Sequence, residues 1–118
     1  MRRLSALLLI TILIFSLTGC HENSVKGIIV NQASHTMAEL DIMPQKLFEF
    51  AQIGDTVTVA SGDFKAQMPL VDELIPESGK LQLLYDENTH GLMICVYDQN
   101  FFEAYDISLG ASVIISKS

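Results

Sequence analysis

The feature that most limits this chain is the apolar run Leu4–Leu17 (LSALLLITILIFSL), preceded by Arg2 and Arg3 and followed by Thr18-Gly19-Cys20. A basic start, fourteen apolar residues and a small-residue end make an export signal, too short for an ordinary membrane span. Setting aside residues 1–19 leaves the 99 residues from Cys20 to Ser118. A chain of that size buries roughly 65% of the surface its unfolded form exposes, enough for one modest core without obligatory disulfides or metal. A two-domain enzyme does not fit in it.

The segment Leu17-Thr18-Gly19-Cys20 resembles the bacterial lipobox. The resemblance implies that Cys20 takes a diacylglyceryl thioether and that the signal is cut just before it. The mature chain is then expected on the extracytoplasmic side of a cell membrane or outer membrane, anchored without spanning. Each buried methylene of the lipid contributes about 0.8 kcal/mol, and two acyl chains supply the two signals that stable anchoring takes. Residues 20–24 form the tether. With Cys20 consumed, Cys95 is the remaining thiol, so no intramolecular disulfide is expected. Within Leu92-Met93-Ile94-Cys95-Val96 it reads as a buried core thiol.

Both arginines lie in the signal, so the mature chain sets five lysines (Lys26, Lys46, Lys65, Lys80, Lys117) against fourteen acids, a net of −9 with histidine neutral. Nucleic-acid binding needs cations that displace counterions from phosphates, and this balance repels a duplex. The acids are scattered singly or in pairs, as on a solubilising surface.

From Val25 the pattern is β. Val25–Val30 and Thr36–Ile42 read as a hairpin turning at Asn31–Ser34. Pro44 suits the first position of a helix, whose apolar side is Leu47, Phe48, Phe50 and Ala51 within Gln45–Gln52, with Gly54 as its stop. Asp55–Ser61 alternates strictly, Gly62-Asp63 turns it, and Phe64–Met68 returns until Pro69 stops it. Leu70–Lys80 lacks a clear period and reads as a surface loop. Leu81–Tyr85 and Leu92–Tyr97 pair across the polar connection Asp86–Gly91. Phe101–Tyr105 is a short helix, and Ala111–Ser116 is a last β-branched strand. About seven short strands and two short helices over 25–118 predict a mainly β fold, a single small antiparallel β-barrel whose closure removes its edges.

No catalytic constellation is visible. His35 and His90 lie far apart with no cysteine or carboxylate at metal-ligand spacing, His21 sits beside Cys20, and there is no GxSxG, GxGxxG or phosphate-cradling loop. Neither metal nor cofactor is implied. Tyr97-Asp98-Gln99-Asn100-Phe101-Phe102 stands apart, because it joins a core strand to a helix and carries aromatic faces, amides and one carboxylate. Such a corner can stack a flat ring and read its edge, which makes Tyr97, Asp98, Asn100 and Phe101 the candidate ligand-binding residues. The same residues also suit a structural role, with Asn100 capping the helix and Phe101 or Phe102 packing the barrel end.

Ile53-Gly54-Asp55-Thr56-Val57-Thr58-Val59, Met68-Pro69-Leu70-Val71-Asp72, Gly79-Lys80-Leu81 and Asn100-Phe101-Phe102-Glu103-Ala104-Tyr105-Asp106-Ile107, with Gly110 and Val113, carry a likeness over about residues 45–118. This stretch resembles the C-terminal β-barrel domain of the S-adenosyl-L-methionine (SAM) hydroxide adenosyltransferases, a family that includes the SAM-dependent chlorinases and fluorinases. In that family a separate α/β domain holds the catalytic machinery and the barrel of a neighbouring subunit helps enclose the adenine. The 25 residues from Cys20 to Pro44 have no room for that catalytic domain. At the ligand-side corner this chain keeps Asn100 but places Tyr97 and Gln99 where the family has an Asn and a Gly. The resemblance implies a non-enzymatic lipoprotein whose barrel binds a nucleoside-like molecule. Its alternatives are a subunit that docks another envelope protein, and a barrel that completes a SAM-hydrolysing enzyme with a separate catalytic chain.

Overall fold

The computed structural model describes residues 23–118; the expected signal 1–19, the expected lipid-attachment residue Cys20 and the front of the expected tether lie outside the described residues. Seven strands alternate with two single-turn helices: β1 (Ser24–Ser34), β2 (Met37–Leu40), α1 (Pro44–Leu47), β3 (Thr56–Ser61), β4 (Phe64–Val71), β5 (Leu81–Asp86), β6 (Gly91–Val96), α2 (Phe101–Tyr105) and β7 (Ser112–Lys117). They close into a barrel in the order β1-β2-β6-β5-β4-β3-β7. The expected closed, mainly β architecture is therefore what the chain adopts. Among the described residues no helix is long and apolar enough to cross a membrane.

Period-two alternation puts one face of each strand inside. Ile29, Ala38, Leu40, Val57, Val59, Met68, Leu70, Leu83, Leu92, Ile94, Val96, Val113 and Ile115 fill the interior. Leu47 and Ala51, from the connection after β2, close one end, and Phe101 and Ile107 close the other. Each fully buried Leu, Ile, Val, Met or Phe side chain contributes about 1.5–3 kcal/mol of transfer free energy, so the barrel is held by its filling and by a continuous ladder.

One strand pair departs from the antiparallel expectation. β4 and β5 run parallel, with Leu70 opposite Leu83 and Val71 opposite Leu84. The cause is the strap of residues 72–80, which leaves the foot of β4 and enters β5 at the opposite end of the barrel. Nine extended residues reach about 30 Å, more than the roughly 20 Å of a six-residue strand, so the strap spans the wall without a helix.

Three local boundaries also shift. The polar residues Asn31–Ser34 are not the first turn: β1 runs through them with irregularities at Ile29/Asn31 and Gln32/Ser34, pairing Asn31 with Glu39 and Gln32 with Ala38. Pro69 does not stop β4. Leu70 donates its N–H to the Asp55 carbonyl on the β3 side (2.8 Å), so alternation turns the Pro69 nitrogen to the other edge, where pairing with β5 begins only at Leu70. The helix expected over Gln45–Gln52 is one turn, Pro44–Leu47. The Asp55 carboxylate accepts the Gln52 N–H (2.9 Å) and the Gln52 carbonyl accepts the Asp55 N–H (3.0 Å), a local turn that competes with helix propagation.

Candidate functional site

The corner after β6 is built by hydrogen bonds from three directions. Tyr97 donates its N–H to the Lys80 carbonyl (3.1 Å) and accepts the Gly79 N–H (2.8 Å), which ties the end of the strap to the end of β6. Gly79 has φ +78°, and a Cβ there would stand 3.1 Å from the Gln99 amide nitrogen, so Gln99 lies over the strap's last turn. Asp98 takes the left-handed conformation, φ 61°. Asn100 then starts α2: its Oδ1 accepts the Glu103 N–H at 3.1 Å. Phe101 donates its N–H to the His35 carbonyl (2.9 Å) and drops its ring into the barrel mouth.

The four candidate residues therefore separate. Phe101 is 0% exposed, its ring edge-to-face with Phe102 at 5.5 Å and with Phe64 at 6.3 Å. No face of that ring is open for a ligand to stack on, and the stacking role expected for it falls to core packing. Asn100 spends its side-chain oxygen on the helix start. Tyr97 and Asp98 do come together, on the rim of a recess of about 360 Å³ lined also by Thr36, Met37, Leu74 and Cys95.

The floor of that recess belongs to a second apolar cluster, on the outside of the barrel. Leu84, Met93 and Cys95 point outward from β5 and β6 and are covered by Met37, Val71 and Leu74. Cys95 is thus buried as expected, but under the strap and not in the barrel interior. Burial pushes its thiol from the ordinary 9.0 up to about 12, which leaves it protonated and a poor nucleophile at neutral pH.

Gln82 is the residue that reading the sequence missed. It is 0% exposed, accepting the Ile75 N–H at 2.7 Å and donating to the Ile75 carbonyl at 3.1 Å. Its amide thus pairs with the strap as a neighbouring strand would. In the sequence it is a polar residue on the outer face of an alternating strand, which ordinarily means solvent; only the strap's path buries it.

Two other recesses are open. One, of about 520 Å³, lies between the β3–β4 turn and the segment after α2 and includes Ser61, Asp63, Phe64, Tyr105, Asp106 and Ser108. The other, of about 630 Å³, carries Asp72, Glu73, Asp86 and Glu87 around Leu74 and Leu84. Among the described residues no group of three or more His, Cys, Asp or Glu could hold a metal ion. His90 Nδ1 lies 3.3 Å from the Tyr85 hydroxyl at the β5–β6 turn, far from His35 in the turn after β1.

No family model matches the chain, and no curated protein matches it in sequence. Among solved structures, an uncharacterized conserved protein from Thermotoga maritima is similar in fold, with a TM-score of 0.67 at 15% identity over 76% of this chain. The match takes in 35% of that protein, so this chain spans about a third of its neighbour, and at this identity the likeness concerns the fold alone.

Proposed function

We propose that the chain is a lipid-tethered barrel, held through Cys20 on the extracytoplasmic side of a membrane, that binds a flat, nucleoside-like molecule and has no chemistry of its own. The observation that carries the ligand reading is the meeting of Tyr97 and Asp98 at the strap-side recess. Met37, Leu74 and Cys95 offer an apolar floor, the Tyr97 ring a stacking wall, and the Asp98 carboxylate and Thr36 hydroxyl an edge that accepts from ring or sugar donors. Its volume of about 360 Å³ lies within the range of small-molecule sites. The nucleoside class comes from the resemblance of residues 45–118 to the adenosyltransferase barrel, and the tether from the lipobox-like Leu17–Cys20. A buried, protonated Cys95 supports a binding role over nucleophilic catalysis.

The test is a thermal-shift titration of residues 21–118 with adenosine, SAM and related nucleosides, in the native sequence and in Tyr97→Ala and Asp98→Asn. Asparagine tolerates the left-handed backbone, so Asp98→Asn removes the charge without straining the turn. A ligand that binds the folded state stabilises it by about 2.7 kcal/mol at one hundred times its Kd. The expected result is a saturable rise in Tm that both variants lose; no rise, or a rise that both retain, contradicts the reading. Asn100→Ala serves as the structural control. It should lower stability by about 1 kcal/mol through the lost cap and leave the ligand-dependent rise in place.

A further inference from the structure

Charge is distributed unevenly around the barrel. The four neighbouring strands β1, β7, β3 and β4 (SVKGIIVNQAS, SVIISK, TVTVAS and FKAQMPLV) contain Lys26, Lys65 and Lys117 and not one aspartate or glutamate. This occurs in a mature chain with fourteen acids and five lysines. The register aligns the outward residues: Lys26 opposes Ile114, Ile114 opposes Ala60, and Ala60 opposes Lys65. Cross-strand partners share a face, so the two lysines end one row, about 14 Å apart along the wall at the usual strand spacing. Between and beside them Ile28, Val30 and Ile114 are 39%, 46% and 43% exposed. Three carboxylates that border this wall are occupied or sit at its rim. Asp41 accepts the Ile28 N–H at 2.7 Å, Asp55 accepts the Gln52 N–H, and Asp63 lies in the β3–β4 turn.

The opposite wall is different in kind. There the strap crosses the barrel, and Asp72, Glu73, Asp86 and Glu87 cluster around one recess. The register also places the 41–55 connection and the 87–90 turn at the end where β1 begins, so that end carries Asp41, Glu49, Asp55 and Glu87. Cys20 and Ser24, the first residue of β1, are separated by only His21–Asn23, and the four intervening chain steps reach about 14 Å at full extension. A barrel on so short a leash rests against whatever surface holds Cys20.

We propose that the β1-β7-β3-β4 wall lies flat on the lipid bilayer, with Lys26 and Lys65 at anionic headgroups and Ile28, Val30 and Ile114 at the interface. The proposal rests on the tether reading. Among the described residues, this wall alone joins cations and exposed apolar side chains without acids in its strands, whereas the end below it and the strap side present carboxylates that an anionic surface repels. In this orientation the strap and the Tyr97–Asp98 recess face away from the membrane, open to ligands.

The full chain, expressed in bacteria, extracted in detergent and reconstituted into vesicles of phosphatidylcholine and phosphatidylglycerol, tests both steps separately. Ser112→Cys on the wall and Ser78→Cys on the strap, each exposed, take a thiol-reactive fluorophore that buried Cys95 does not. Quenching by a nitroxide-labelled phospholipid then reads which side meets the bilayer. The expected result is quenching at Ser112→Cys and none at Ser78→Cys, with most of it lost in the Lys26→Glu, Lys65→Glu double variant while the protein still floats with the vesicles. Flotation with equal quenching at both positions, or with quenching at Ser78→Cys alone, overturns the orientation and leaves the tether standing. Failure of the unsubstituted chain to float overturns the tether and the orientation with it.

Discussion

Cys95 lies on the outer face of β6 with Leu74 of the strap over it, and burial raises its thiol from 9.0 to about 12. The sign of the resulting pH dependence follows from proton counting. Above about pH 9 an unfolded thiol gives up its proton, while the folded one keeps it to about 12; the folded state then binds more protons and stability falls as pH rises. Urea unfolding of the native chain and of Cys95→Ala at several pH values between 9 and 12 should show a shallower fall in the variant. Parallel falls would mean that water reaches the sulfur. The residues of the β6–α2 corner show why a site is harder to read than a core. An asparagine before two phenylalanines is what a ligand-reading corner and a capped helix with an aromatic plug both require, and the sequence does not distinguish them. Only the closure of the barrel over Phe101, against Phe64 and Phe102, decides it.

The strap of residues 72–80 is the element that gives this barrel its parallel strand pair, its outer apolar cluster and its recess. It has no ladder of its own along Leu74–Glu77, and the Gln82 amide replaces one by pairing with both polar groups of Ile75. Gln82→Ala leaves the half-buried Ile75 N–H without its partner, while the Ile75 carbonyl keeps the Glu77 N–H (2.9 Å). It should lower stability by about 1–3 kcal/mol and release the Ile75 amide to hydrogen exchange ahead of the barrel ladder. A loss under about 0.5 kcal/mol with Ile75 still protected would show that Leu74 and its neighbours hold the strap unaided. The strands themselves were legible, because Val57 and Val59, or Val113 and Ile115, alternate with Thr and Ser as a half-buried strand must. The direction in which β4 and β5 meet was not, since it depends on where a loop without period is carried. Pro69 and Asn31–Ser34 misled for a related reason: a proline at an unpaired edge and polar residues in an irregular strand look locally like stops.

At the scale of the molecule the barrel has two unlike sides, an acid-free wall carrying Lys26 and Lys65 and an acidic side crossed by the strap. Closure itself was legible in the count of short strands, and a fold neighbour with 15% identity shares the architecture. The polarity of the barrel was not, because the lysines and acids interleave along the chain and sort themselves only when β1 and β4 are brought to the same wall by β7 and β3. The proposed orientation and the proposed location of the barrel both depend on the proposed tether at Cys20. The most direct measurement is the intact mass of the full chain recovered from bacterial membranes, with fragmentation of its N-terminal peptide. The account predicts a chain that starts at Cys20 and bears a diacylglyceryl group on that sulfur. A chain that retains Met1, or one cut near residue 20 with a free thiol there, would contradict it.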